Sequence, residues 1–141
     1  MSRLGDTERD ISLSGPWKAL AGEDVARRHI GDVDLDDSGW VDVEVPGLWR
    51  SHNTLSAAES VLYRRHFSLD PLPEGKRRWL AIDGLCYQGD IWLNGAYLGD
   101  TEGYFVEHSF EISDVASDAG EHLLAIEANC LHPSDLSLIH I

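Results

Sequence analysis

Cysteine is scarce in this sequence. Cys86 and Cys130 are its two thiols, and two do not make the disulfide framework that holds small secreted domains together. Cys86 lies in an apolar stretch and reads as a buried free thiol. Cys130-Leu131-His132 lacks the second ligand pair of a zinc site. Long apolar runs are missing too. Nothing approaches the ~18 apolar residues of a membrane span, and Met1 to Asp10 is polar and mixed in charge, without the apolar core of a signal peptide. Basic residues are few: 11 Lys and Arg stand against 25 Asp and Glu, a formal net charge of -14. That balance excludes nucleic acid and anionic membranes as partners, since phosphate contacts need clustered cations. No P-loop, dinucleotide fingerprint or Gly-x-Ser-x-Gly elbow occurs. These absences lead us to expect a cytoplasmic protein with no cofactor and no metal.

The 141 residues that remain to be explained amount to one domain. An apolar content of 43% with five Trp is enough for a folded core. Many short alternating segments, broken by Gly, Pro, Asn and Asp, predict an all-β sandwich of roughly eight short strands, with helix confined to loops. The strongest local signal is Ile91-Trp92-Leu93-Asn94-Gly95-Ala96-Tyr97-Leu98. Asn-Gly between apolar runs is the signature of a two-residue hairpin, because a type I′ turn needs positive φ at both central residues. We therefore read Asn94 and Gly95 as a structural turn.

Along the sequence, Ile11 and Leu13 alternate with polar residues and predict a strand, with Gly15-Pro16 turning into a second at Trp17 to Leu20. Gly22 to Ile30 reads as a turn or short helix. Asp32, Asp34 and Asp36 have the opening spacing of an EF-hand, yet the required Gly is Asp37 and the bidentate Glu is Val43. The run is read as a solvated acidic loop. Val41 to Val45 alternates as a strand with its valines inward. Leu48 to Ser60 is a long connection carrying Trp49, His52 and Asn53, and ordered loops of that length are often functional. These three are the candidate substrate-binding residues, with a core position the stronger reading for Trp49.

Val61 to Leu69 is a further strand, placing Tyr63, Arg65 and Phe67 on one face and Leu62, Arg64, His66 and Ser68 on the other. Its arginines read as partners of nearby carboxylates rather than as an anion site. Pro71 to Gly75 is a turn-rich loop, Leu80 and Ile82 mark a half-buried strand, and Phe105, Phe110 and Ile112 another extended segment. Glu121 to Asn129 is the last strand, with Leu124 and Ile126 on one face. The expected core is Trp17, Trp40, Val43, Val45, Tyr63, Phe67, Leu80, Ile82, Ile91, Leu93, Phe110, Leu124 and Ile126.

Three ordered motifs carry a family resemblance. Asp36-Asp37-Ser38-Gly39-Trp40 leads to Val45-Pro46 and Trp49. Tyr63-Arg64-Arg65 leads to Phe67. Leu93-Asn94-Gly95 leads to Leu98-Gly99, Gly103-Tyr104-Phe105 and Phe110-Glu111-Ile112-Ser113. Together they resemble the N-terminal sugar-binding jelly-roll domain of family 2 glycoside hydrolases, the β-galactosidase, β-glucuronidase and β-mannosidase group. Thr101 stands where that family often has His, and Glu107-His108 where it often has Pro-Phe.

The resemblance implies a galactose-binding-like jelly roll, a carbohydrate ligand, and two partner domains in the parent protein, a catalytic (β/α)8 barrel and an immunoglobulin-like domain. Both catalytic glutamates of the family come from the barrel, which needs ~250 residues; no catalytic residue is assigned here. The alternatives are a free-standing carbohydrate-binding module and a structural domain without a ligand. Residues 1–10 are expected to be a flexible N-terminus, 11–130 the jelly roll, and 131–141 a truncated end. Within that end Leu136 to Ile141 resembles the translation of a transposase end used in preparing sequencing libraries, and is expected to be foreign.

Overall fold

The computed structural model describes residues 11–22, 24–48, 52–82, 84–85, 88–102, 107–116, 118–129 and 138–140. Among these, eleven strands and one short helix follow in the order β1 Gly15–Ala21, α1 Asp24–Arg28, β2 Val41–Val45, β3 Gly47–Leu48, β4 Ser60–Leu69, β5 Trp79–Ile82, β6 Gly84–Leu85, β7 Gln88–Leu93, β8 Ala96–Glu102, β9 His108–Glu111, β10 Gly120–Asn129 and β11 Leu138–His140. The fold is all-β, as the short alternating segments predict. Six strands form one antiparallel sheet in the order β2-β1-β4-β10-β7-β8. Two smaller sheets, β3-β11-β6 and β5-β9, complete the sandwich. No helix among the described residues is long and apolar enough to cross a membrane.

The middle of the large sheet is buried on both faces. On one, Trp17, Ala19, Val61, Tyr63, Ile91, Leu93, Leu124 and Ile126 pack with Leu80, Ile82 and Ile112 from the β5-β9 side. Leu13 and Leu55, from coil and turn, close the same cluster. On the other, Leu62 and Ala125 meet Ala26 and Ile30, with Leu20, Trp40 and Trp92 packed around them. This second cover is α1 and the loop that follows it. It explains why residues 122–128 are buried without a break, where alternation would bury every second one. The expected face of Leu124 and Ile126 is therefore half of what β10 buries.

Of the thirteen expected core residues, Trp17, Val45, Tyr63, Leu80, Ile82, Ile91, Leu93, Leu124 and Ile126 are buried. Val43, Phe67 and Phe110 pack against the main cluster and Trp40 against the second, all four partly buried. The strand expected at Ile11–Leu13 does not form. Ile11 is exposed, whereas Leu13 is buried as coil and its carbonyl accepts the Trp17 Nε1–H at 2.7 Å. A buried indole needs an acceptor, and here a non-strand segment supplies it. The count exceeds eight because β3, β6 and β11 are pieces of two or three residues, too short to register as a pattern. β11 pairs with both β3 and β6. Trp49, Cys86, Phe105 and Cys130 lie outside the described residues, as do positions 1–10, 131–137 and 141.

Candidate functional site

Arg64 holds in place the loop that forms one wall of a cleft. It points from β4 onto the face covered by the loop after α1, and it is fully buried. Its Nη1 donates to the carbonyls of Ile30 (2.7 Å) and Asp32 (3.0 Å), its Nη2 to that of Leu35 (3.3 Å), and its Nε to Asp37 Oδ2 (2.9 Å). The guanidinium lies 5.9 Å from the Trp40 ring centre. A guanidinium has five N–H donors in a fixed fork, so one residue holds a whole loop in shape. The acidic run is thus folded around a cation of the protein itself. Asp32 Oδ2 lies 2.8 Å from His29 Nδ1. Asp36 Oδ1 accepts the Ser38 N–H at 3.0 Å, and this backbone bond holds the Asp36 carboxyl below its ordinary pKa. No three His, Cys, Asp or Glu among the described residues converge as a metal would require.

The opposite wall is the β7–β8 hairpin. Asn94 and Gly95 form its two-residue turn with φ of 52° and 87°, the left-handed values of a type I′ turn. Asn94 is more than a turn former. Its Oδ1 accepts the Leu123 N–H (2.9 Å), and its Nδ2 donates to the Val115 carbonyl (2.9 Å) and to His122 Nδ1 (2.8 Å). The Nε2–H of His122 then donates to the Asp118 carbonyl at 2.9 Å. With one ring nitrogen accepting and the other donating, this arrangement fits the neutral imidazole. The hairpin is tied to β10 and to the turn before it through a carboxamide already fully used. That arrangement makes Asn94 a structural residue. His122 and the Val115 carbonyl lie 28 and 21 positions away, and no local pattern announces them.

Between these walls His29, Gly31, Asp32, Val33, Asp34, Leu35, Asn94 and Gly95 line a broad cleft of about 490 Å³. Beside it Trp92 and Tyr97 stand 5.5 Å apart, ring to ring. Tyr97 is exposed, and its hydroxyl donates to Asp90 Oδ1 at 2.8 Å. That bond pushes the phenol pKa up to about 12. Tyr63 is raised as well, by burial. The buried Glu127 pairs with Arg27 Nε at 2.6 Å, as the half-buried Asp37 does with Arg64. The arrangement offers aromatic and carboxylate surface.

His52 and Asn53 lie on a pair of successive turns, closed by Leu55 N–H to the His52 carbonyl and Ala58 N–H to the Leu55 carbonyl, both 3.0 Å. His52 Nδ1 sits 3.1 Å from Thr54 Oγ1, and the Asn53 carbonyl accepts the Ser56 hydroxyl at 3.1 Å. Buried Leu55 anchors the segment, leaving Asn53 exposed. The segment feeds Ser60, which aligns with Asn129 and Gln88 at one end of the sheet. The Asn94–Gly95 turn is at the other end of β7, roughly 20 Å along the strand. The candidate loop and the turn enter the sheet at opposite ends.

The family model described as "Glycosyl hydrolase 2 galactose-binding domain-like" matches residues 50–134, more than half of the chain. The protein belongs to this family. Among relatives of this galactose-binding-like domain, a β-mannosidase B of Emericella nidulans is 31% identical over 101 residues, covering 69% of the present sequence and 12% of that protein. A β-glucuronidase of Formosa agariphila is 21% identical over 111 residues, covering 70% and 11%. Among solved structures, a β-glucuronidase of Bifidobacterium dentium complexed with coumarin-3-O-glucuronide aligns with a TM-score of 0.67 and 29% identity, over 83% of this chain and 19% of that one. A β-glucuronidase of an uncultured Clostridium sp. gives 0.73 at 19% identity, over 92% and 24%, which speaks for the fold. The domain spans about a tenth of the length of these two curated relatives, and corresponds to one part of a larger protein.

Proposed function

We propose that this protein is the non-catalytic sugar-binding and scaffolding domain of a family 2 glycoside hydrolase, an enzyme of carbohydrate metabolism that cleaves O-glycosidic bonds. Coverage carries this reading: relatives named for glycosidase activity are matched over 11% and 12% of their length. The carboxylate pair of a retaining glycosidase stands ~5 Å apart, whereas Asp37 and Glu127 are each held by an arginine. The partners are then the barrel and immunoglobulin-like domains of the parent protein, in the cytoplasm, with carbohydrate as ligand. His52 and Asn53, with Trp49 near them in sequence, are the residues proposed to reach toward the sugar. The purified protein, once shown to unfold cooperatively, is expected to release no chromophore from β-galactoside, β-glucuronide or β-mannoside substrates above a buffer control. Turnover would refute the non-catalytic assignment.

A second reading, a free-standing carbohydrate-binding module, is favoured by the exposed Trp79 and Tyr97, since sugar recognition uses exposed aromatic surface with polar groups around it. Titrating the protein with galactose, glucuronate and mannose while following tryptophan fluorescence separates the two. A saturable change in the isolated domain supports the module, and its absence supports a domain that acts only beside its barrel.

A further inference from the structure

We propose that Asn94 is a deamidation site which the native fold holds closed, so that loss of its amide marks molecules that have opened. The chemistry needs only water. Gly95 N attacks Asn94 Cγ, a new C–N bond forms, the bond from Cγ to Nδ2 breaks, and ammonia leaves carrying the proton from Gly95 N. The resulting succinimide is opened by water at either carbonyl, giving aspartate or isoaspartate at position 94. Gly95 is the following residue that obstructs this ring closure least, because it has no Cβ and the widest backbone freedom.

In the native hairpin the electrophilic carbon is not free to meet that nitrogen. Three hydrogen bonds, to Leu123 N–H, the Val115 carbonyl and His122 Nδ1, fix the carboxamide against β10 and the turn before it. A fourth, from Asn94 N–H to the Leu123 carbonyl at 2.9 Å, fixes its backbone. Ring closure requires all three carboxamide bonds to be released. The product then has no way back. A carboxylate carries no hydrogen for the Val115 carbonyl and faces its lone pair instead. Isoaspartate inserts an extra backbone carbon into a two-residue turn that sets the β7–β8 register. An opening that is reversible for the amide becomes irreversible for the acid.

The test is incubation of the whole protein at mildly alkaline pH, folded and in urea, with peptide mass spectrometry reading ammonia loss at position 94. Deamidation of the folded protein is expected to be slower by on the order of a hundredfold, the protection three net hydrogen bonds provide. His122→Ala removes one of the three, and should speed the folded rate about fivefold while leaving the rate in urea unchanged. Asn94→Asp reports on the product directly and should lower the denaturation midpoint. Equal rates in the folded and unfolded states, or an Asn94→Asp variant with an unchanged midpoint, would overturn the proposal.

Discussion

Arg64 and Asp37 are 27 positions apart, and at the scale of single residues they decide how the second face of the sheet is covered. Replacing Arg64 with Met keeps the volume but leaves Asp37 without its arginine and takes the guanidinium donors from the carbonyls of Ile30, Asp32 and Leu35, of which Asp32 keeps the Leu35 N–H. Breaking one side of a buried pair typically costs about 3–5 kcal/mol, and Arg64→Met is expected to fall in that range by urea denaturation. Gly95 is a different case. A Cβ there would sit 3.5 Å from the Gly31 carbonyl oxygen, an ordinary contact, so the cost of Gly95→Val comes from φ of 87° rather than from crowding. A midpoint shift equivalent to about 1–3 kcal/mol is expected. Tyr97 gives a pH prediction. Its folded pKa is raised to about 12, above the unfolded value of about 10. Its contribution to stability is therefore complete below pH 10 and is lost as pH rises from about 10 to 12. Tyrosinate absorbance should show a late ionisation that Tyr97→Phe removes.

At the scale of elements, the parts legible in the sequence are those whose signal is local. β2 and β4 could be read from alternation, and the β7–β8 hairpin from Asn-Gly, because side-chain period and turn chemistry act within a few residues. α1 could be placed as a turn or short helix, although five residues cannot sustain a helix alone. It is held by Arg27, which reaches Glu127 and Ser60 Oγ on the sheet below. That pairing, Arg64 with Asp37, and Asn94 with His122 are all long-range, so the sequence contains the partners but not the pairing. Ile11 to Ser14 shows the converse. Its alternation is genuine, but the buried Trp17 indole uses the Leu13 carbonyl, and the segment stays coil. The candidate site was legible only in part for the same reason. The acidic loop and the hairpin are visible as separate motifs, and nothing between them says that Gly31 would come to face Gly95 across one cleft.

At the scale of the molecule, the order β2-β1-β4-β10-β7-β8 places β10 deep in the sheet, with an extensive partner on each side. Both of its faces are covered as well, one by the sandwich core and one by α1 and the loop that Arg64 holds. Amides that open only when many contacts are lost together exchange at the cost of global unfolding, whereas edge amides exchange through local opening. Native-state hydrogen exchange should therefore find residues 122–128 the slowest in the molecule, with β2 and β8 faster. The covers can be told apart by the same measurement. Arg64→Met frees the loop over Leu62 and Ala125 but leaves the sandwich core in place. In that variant, Ala125 and its neighbours in β10 should gain a faster, sub-global exchange route while Leu80 and Ile82 keep theirs. Uniform acceleration of all these amides would mean that the two faces unfold as one unit, and that the loop is part of the main core rather than a separate lid upon it.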